Sequence, residues 1–255
     1  MPRPERSYRT PAIILKRRDF GEADRMLTIL TPRHGKQDVL AKGARKITSH
    51  KTGHVELFTR AEMLVHTGRD FGLVVQAEMT APHLPLREDL TRGAYAAYTA
   101  ELLDKFTDTG EDDMSMLFAL MDETLARIAE DSDPQLAMRY FEVRLLDLVG
   151  FRPELSECVI GHEAIQPVDQ FFSYAQGGVV CPQHAGRGMT SVPVPMMTLK
   201  LLRHMQRSPY PHVKALEIQP ALHEDVERIL LGYVSYVLER RLQSIDFIRR
   251  VRHAK

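Results

Sequence analysis

Two short segments carry the residue types best suited to metal chemistry. Cys158 is followed by His162, and Cys181 is followed by His184. Structural zinc sites commonly take two sulfur or nitrogen ligands from each of two tight turns, so we predict a zinc site from these four residues. Protein ligands would fill all four positions, which is typical of structural and not of catalytic zinc. The alternative is a pair of buried thiols with two histidines on the surface.

Basic residues are concentrated in the first quarter of the chain. Residues 1–60 hold 14 Lys and Arg against 6 Asp and Glu, whereas the whole chain holds 34 of each sign. A local excess of positive charge indicates a nucleic-acid-binding segment, although such clusters also occur as solvated faces. In the densest cluster, residues 41–46, Gly43 would let the backbone turn tightly or approach a phosphate. The cations predicted to bind DNA are Lys16, Arg17, Arg18, Arg25, Arg33, Lys36, Lys42, Arg45, Lys46 and Lys51.

The sequence around these cations has the pattern of short β-strands. Runs rich in Ile, Leu and Val alternate with turn residues, and no helix-length segment intervenes. Five strands within about 80 residues predict a small closed barrel of the OB-fold type, a frequent carrier of single-stranded nucleic acid. The predicted strands are 10–18, 24–31, 36–41, 55–66 and 72–79.

OB-folds often add aromatic rings on which bases stack. The barrel segment offers Tyr8, Phe20, Phe58 and Phe71. Because so small a barrel needs apolar side chains inside, we expect each of these rings to belong to the core and not to a stacking surface. Binding is therefore predicted to rest on phosphate contacts, with little preference for base sequence.

Beyond the strands, apolar residues recur with helical spacing. The helix with the clearest start and end signals has Asp133 as its N-cap, Pro134 in the first turn and Gly150 after its last turn. The helical pattern stops at residues 151–153 and resumes over residues 195–206 and again over 221–242. We predict an α+β protein in which an OB-fold (1–82) precedes an α-helical domain (83–153 and 191–255) that carries a small zinc-ribbon-like insert (154–190).

The chain lacks the short motifs of common enzyme classes. It contains no G-x-x-x-x-G-K-[ST] phosphate loop, no G-x-S-x-G nucleophile turn and no H-E-x-x-H metal helix. No apolar run approaches the ~20 residues that span a bilayer. Two cysteines are too few for a secreted domain stabilised by disulfide bonds. We expect a non-enzymatic, cytoplasmic protein that associates with the nucleoid and has no membrane segment.

Several segments, taken in order, resemble the RecO family of DNA repair proteins. The resemblance begins with the IILKRRDFGEADR sequence of residues 13–25 and includes the AKGAR sequence of residues 41–45. No single segment is specific to the family, but their order along nearly the whole chain is. The further matching segments are 31–36, 141–151, 172–181 and 241–244.

The resemblance implies an OB-fold, a helical domain with a zinc-binding insert, and no catalytic activity. It also implies a protein that binds single- and double-stranded DNA and anneals complementary strands. With RecR, such a protein helps load RecA onto strands coated by single-strand-binding protein. The matched basic positions, which the resemblance makes candidates for DNA contact, are Lys16, Arg17, Arg18, Arg25, Lys42 and Arg45.

The cysteine positions depart from the family pattern. Zinc-binding members have a C-x2-C pair in each turn, whereas here only Cys158 and Cys181 match. His184 replaces the fourth cysteine, and Gly161 stands where the second cysteine would be. His162 could then act as a ligand only if its loop adjusts.

Three functions stay open on the sequence alone. The first is the DNA-annealing mediator that the resemblance implies. The second is a general OB-fold module for RNA or other oligonucleotides, which the fold alone would support. The third is a zinc-dependent nucleic-acid enzyme, which would require metal-dependent turnover.

Overall fold

The computed structural model describes residues 7–46, 51–110, 113–186, 190–239 and 243–253 of the 255-residue chain. The described residues form two compact units. Unit 1 comprises those within Met1–Glu130 and Ser244–Lys255, and unit 2 those within Asp131–Gln243. Unit 2 is therefore an insertion in the sequence of unit 1.

Unit 1 contains a closed five-stranded barrel in the order β1-β2-β3-β5-β4. All neighbouring pairs are antiparallel except β3 and β5, which run parallel at Val39–Leu40 and Gly72–Leu73. This is the OB-fold, and the prediction of a five-stranded barrel followed by helices is confirmed. Its strands are β1 (Ser7–Phe20), β2 (Asp24–Thr31), β3 (Gly35–Ala41), β4 (Arg60–His66) and β5 (Gly72–Ala81).

The barrel interior is built from alternate positions of its strands, because successive side chains of a strand point to opposite faces. Ile14, Leu27 and Ile29 are fully buried there, as are Val39 and Val65. Strand β1 extends beyond this core, because its last five residues, 16–20, are all exposed. The β1–β2 hairpin therefore extends past the core and carries polar and aromatic side chains into solvent.

The predicted strand 55–66 is wrong in its first five residues. Residues 55–59 are irregular, and β4 begins only at Arg60. Val55 and Phe58 are nonetheless buried, and Phe58 has a left-handed backbone conformation with φ of 61°. The apolar pattern that suggests a strand therefore reflects core packing of a turn. This turn still bonds to β1, because Phe58 N–H donates to the Ile14 carbonyl at 3.0 Å and Ile14 N–H to the Thr59 carbonyl at 3.1 Å.

Four helices complete unit 1. The side chain of Asp89 caps α2 by accepting from the backbone N–H groups of Thr91 and Arg92. Near the start of α8, Ser244 donates its backbone N–H to the Glu101 carboxylate of α2 at 2.8 Å. The helices are α1 (Pro85–Glu88), α2 (Leu90–Phe106), α3 (Ser115–Glu130) and α8 (Gln243–His253). Helices α1–α3 thus pack in the same compact unit as the barrel, although the sequence-based ranges assign them to the helical domain.

Unit 2 combines four helices with a three-stranded sheet in the order β7-β6-β8. Asp133 caps α4 by accepting from the N–H of Leu136, Pro134 lies in the first turn, and Gly150 follows the helix with φ of 83°. The helices are α4 (Pro134–Leu148), α5 (Met196–Arg207), α6 (Tyr210–Lys214) and α7 (Pro220–Leu238), and the strands are β6 (Gln170–Ser173), β7 (Gly178–Val180) and β8 (Val192–Val194). None of the helices described in either unit is long and apolar enough to cross a bilayer.

Candidate nucleic-acid surface and metal-ligand group

The ten cations predicted to bind DNA occupy several different environments in the barrel. Lys36 is the extreme case, because it is 6% exposed and its ammonium group is enclosed. It donates to the Asp104 carbonyl at 2.6 Å, to the Asp104 carboxylate at 3.2 Å and to the Thr107 carbonyl. Lys36 is therefore a structural residue that ties β3 to the end of α2, and it has no donor left for a phosphate.

Asp104 also receives the ammonium group of Lys16. Burial alone would raise the pKa of Asp104, but the hydrogen bond from Lys16 and the positive charge of Lys36 hold that pKa below its ordinary value. The carboxylate therefore stays charged at neutral pH and forms ion pairs with both lysines. Lys16 remains about half exposed, so its pairing is open to competition from a ligand.

A second carboxylate neutralises two of the predicted arginines. Glu56 accepts from Arg17 with one oxygen and from Arg25, at 2.9 Å, with the other. The Arg45 guanidinium lies 3.4 Å from the Asp19 carboxylate, with both groups solvent-exposed. An exposed pair such as that of Arg45 and Asp19 contributes little to stability and exchanges readily for other ions.

Three of the ten cations have no carboxylate partner among the residues described: Arg18, Arg33 and Lys42. Lys51 donates to the Val74 carbonyl at 2.8 Å, and desolvation lowers its pKa although Asp24 opposes this effect. Lys46 is exposed in the same turn as Lys42. Of the three cations without a carboxylate partner, Arg33 and Lys42 lie in turns and Arg18 lies in the exposed end of β1.

Three of these loops meet at one end of the barrel. The 42–46 turn contacts the β1–β2 turn, because Arg45 N–H donates to the Ala23 carbonyl at 2.9 Å and Gly43 N–H to the Asp24 carboxylate at 2.7 Å. Gly43 has φ of 67°, which a side chain would strain. The β4–β5 loop, residues 67–71, joins them because β5 starts beside the end of β3. We call this arrangement the loop end of the barrel.

The four aromatic residues of the barrel divide into two groups. Phe58 is buried, and Tyr8 is half-buried with its hydroxyl donating to Gln37 at 2.5 Å. Phe20 and Phe71 are each 39% exposed, so the expectation that they fill the core is wrong. Both precede or follow a turn at the loop end, where the chain has already left the core.

The second candidate site lies in unit 2, where two tight turns bring soft ligands together. His162 N–H donates to the Cys158 carbonyl at 2.8 Å, and His184 N–H donates to the Cys181 carbonyl at 3.0 Å, which closes the two turns. Residues 154–159 run beside β7, with Val159 N–H on the Val179 carbonyl at 2.9 Å. This pairing puts Cys158 next to Cys181, which follows β7 directly.

Four side chains converge at these turns: Cys158, Glu163, Cys181 and His184, whose ligand atoms all lie within 4.8 Å of one another. His184 Nδ1 is 3.2 Å from Cys181 Sγ and 3.6 Å from Cys158 Sγ. Glu163 Oε1 is 2.8 Å from Cys181 Sγ and 3.3 Å from His184 Nδ1. Ligands bound at about 2.0–2.3 Å in a tetrahedron stand about 3.3–3.8 Å apart, so the group is close to the size that zinc requires.

Three of the four predicted ligands are therefore brought together, and the fourth is not. His162 is exposed and has a left-handed backbone conformation with φ of 59°, and Glu163 is the group's fourth member in its place. The turn ends at His162, so the next residue and not His162 faces the sulfurs. Sequence spacing could not reveal Glu163, because the direction of each side chain depends on the backbone conformation of the turn.

Gly161 lies against this group. A Cβ at this position would meet Glu163 Oε2 at 2.0 Å and His184 Cε1 at 2.4 Å. The side chain of a residue at position 161 would thus point at the ligands, as the C-x2-C spacing of the family pattern requires. Here the space is occupied by the Glu163 carboxylate.

Hydrogen bonds to sulfur favour the thiolate form of Cys158. Burial would raise the pKa of this thiol, but N–H groups of Cys181 and Gly161, with Ile160 and His184, lower the pKa to about 7. Burial and the nearby Glu163 carboxylate raise the pKa of Cys181. Thiolate is the form that binds metals, so the lowered pKa of Cys158 favours ligation, whereas Cys181 would release its proton to solvent when the cation binds.

Known families match both parts of the chain. The model for the N-terminal domain of recombination protein O matches residues 6–83, and the model for its C-terminal domain matches residues 87–246. A DNA repair protein RecO from Roseiflexus sp. (strain RS-1) is 38% identical over 97% of this chain and 87% of its own length. Proteins of the same name from Desulforamulus reducens and Pelotomaculum thermopropionicum are 33% and 35% identical, covering 96% and 95% of this chain and 94% of their own lengths. The OB-fold, the order of its segments and these similarities together show that the chain belongs to the RecO family of DNA repair and recombination proteins.

Proposed function

We propose that this protein is a non-enzymatic recombination mediator. In this role it binds single- and double-stranded DNA, anneals complementary strands and, together with RecR, helps load RecA onto strands coated by single-strand-binding protein. It would act in the cytoplasm, on the nucleoid. Membership of the RecO family supports the repair role, and the barrel supports the DNA-binding step.

The observation that carries the proposal is the loop end of the barrel. Lys42 and Arg18 have no carboxylate partner among the described residues, and the Arg45 and Asp19 pair is exposed to competing ions. Phosphates can bind such cations without breaking buried contacts, and each contact releases counterions. A surface of this kind binds the sugar-phosphate backbone of nucleic acid. This mode of binding suits a protein that must act on any base sequence.

An annealing assay tests the proposal. We expect the protein to accelerate pairing of complementary strands, both naked and coated with single-strand-binding protein. A variant with Arg18, Lys42 and Arg45 changed to Ala should lose most of this acceleration and keep its melting temperature. Lys200→Ala, at an exposed lysine of α5, provides the control for loss of a positive charge outside the loop end. Absence of annealing by the wild type on either substrate would contradict the mediator function.

We also propose that Cys158, Glu163, Cys181 and His184 hold one zinc ion. Two sulfurs and one imidazole favour zinc over Mg²⁺ or Ca²⁺, which prefer all-oxygen sites. Four protein ligands would leave no position for substrate, so the ion would be structural and would stabilise the turns of residues 154–190. Elemental analysis of protein purified without added metal should find about one zinc per chain. A content near zero would contradict the site.

A further inference from the structure

Phe20 and Phe71 form an exposed pair of rings at the loop end. Their centroids are 6.4 Å apart, and the rings meet edge to face at 65°. Leaving an aromatic ring in water forgoes the free energy that burial would provide, and two such rings side by side are unusual on a small barrel. By contrast, the other barrel aromatics are used inside the protein, Phe58 in the core and Tyr8 against His34.

A guanidinium group belongs to the same pair. The Arg18 Cζ lies 6.0 Å from the centroid of Phe20. Arg18 and Phe20 are two positions apart on β1, so their side chains share one face of the strand. Arg18 has no carboxylate partner in the described part of the chain, so its charge is available to a ligand that also covers the ring.

Cations lie on the same three segments of the loop end as the rings. Phe20 opens the β1–β2 turn, on which the 42–46 turn docks through the Arg45 and Gly43 backbone N–H groups. Phe71 ends the β4–β5 loop, which also contains the exposed Arg69. Apolar rings and positive charges are therefore provided by the same three segments.

We propose that Phe20 and Phe71, with Arg18, form a platform on which unpaired bases of single-stranded DNA stack. This inference rests on the proposed function, because it assigns the part of the same surface that contacts bases. The three segments, residues 18–24, 42–46 and 67–71, hold five Lys and Arg against four Asp and Glu. Arg18, the cation beside the Phe20 ring, has no carboxylate partner among the described residues, so a polyanion with flat apolar faces complements this part of the surface better than an apolar peptide does. A base has such a face only when it is not stacked within a duplex, and the platform therefore distinguishes single strands from duplex DNA.

Binding of three oligomers to the full-length protein tests the platform. The first is an oligothymidylate of about 16 nucleotides, the upper site size of one OB-fold. The second is an abasic oligomer of the same length, and the third is a blunt duplex. The variant is Phe20→Ala with Phe71→Ala, and Leu90→Ala, which removes another exposed apolar side chain of unit 1, is the matched control.

We expect the double variant to bind oligothymidylate at least about tenfold more weakly, because one stacked base contributes a factor of about 5–150. Its affinity for the abasic oligomer and the duplex should change by less than about twofold, and Leu90→Ala should leave all three unchanged. Replacing both phenylalanines by Trp should preserve binding to oligothymidylate. An equal loss on the abasic oligomer, or no loss on oligothymidylate, would overturn the platform.

A spectroscopic measurement makes the test independent of affinity. Stacking on an aromatic ring changes the fluorescence of 2-aminopurine placed in the single strand. At saturating protein, the wild type should change this signal and the double variant should not. If the wild type binds none of the three oligomers, the proposed DNA-binding function fails, whereas binding with an identical 2-aminopurine signal in wild type and variant refutes the platform alone.

Discussion

The loop end of the barrel and the ligand group of residues 158–184 are assembled from charged or polar residues in opposite ways. At the loop end, cations come from three segments and face solvent, while other barrel cations, Lys16, Arg17 and Lys36, each take a carboxylate or a carbonyl partner. In the ligand group, four side chains face one another within 4.8 Å. Sequence spacing therefore identifies three of the four members of the ligand group, although not Glu163, whereas it identifies none of the carboxylates that the fold brings to the lysines.

The largest expected effect is loss of a metal ligand, which tests whether the ligand group depends on metal while the barrel does not. Cys181→Ser should abolish zinc binding and with it about 10 kcal/mol of local folding free energy for residues 154–190. Hydrogen exchange would detect this as loss of protection in β6 and β7. Protection of the barrel strands and DNA affinity should be retained. A variant with normal zinc content would remove Cys181 from the site.

The next effect concerns Lys36, the predicted DNA ligand that the fold has buried. Lys36→Met leaves two carbonyls without their donor and Asp104 with Lys16 as its remaining cation, so the free energy of unfolding should fall by about 3 kcal/mol. Urea denaturation measures this loss. Lys42→Met, at an exposed loop position, should change stability by less than about 0.5 kcal/mol. Equal destabilisation by the two variants would refute the distinction between structural and solvent-facing cations.

A smaller effect separates the two neighbouring candidates for the fourth metal ligand. Glu163→Ala should weaken zinc binding at least about tenfold, since even residues that only support a ligand change affinity by 10–100-fold. His162→Ala should leave the affinity unchanged, because His162 is exposed and outside the group. Competition with a zinc chelator measures both. Release of zinc by His162→Ala alone would restore His162 as the ligand.

The smallest effect distinguishes cations that have partners from those that have none. Changing Arg18 and Lys42 to Ala should reduce the slope of log affinity against log salt by about 1.4, or about 0.7 for each phosphate contact on a single strand. Changing Lys16 and Arg17, which are held by Asp104 and Glu56, should reduce it less. Titrations at several salt concentrations give both slopes, and the reverse order would move the DNA path away from the loop end.

The sequence was sufficient for the barrel because period-two apolar runs and turn residues are local signals, and for α4 because its cap and proline are adjacent. It was not sufficient for Lys36, whose partner Asp104 lies 68 positions away. Phe20 and Phe71 were expected in the core because their type favours burial, but β1 extends past the core at that point. Glu163 was missed because side-chain direction in a turn depends on the φ of His162, which spacing does not encode.

The discontinuity of unit 1 has a consequence for synthesis on the ribosome. Ser244, Ile248 and Val251 of α8 are buried, and the Ser244 bond to Glu101 joins parts of the sequence that are 143 positions apart. During synthesis, the residues of unit 2 are made before those of α8. Until α8 is made, the part of the barrel unit that α8 covers stays exposed. Domains made of consecutive residues fold in their order along the chain during synthesis. Here, by contrast, unit 2 can finish folding before unit 1, although unit 1 begins first in the sequence. A chain that ends at residue 243 should therefore, once it has left the ribosome, expose the barrel unit, and not the inserted one, to chaperones and proteases.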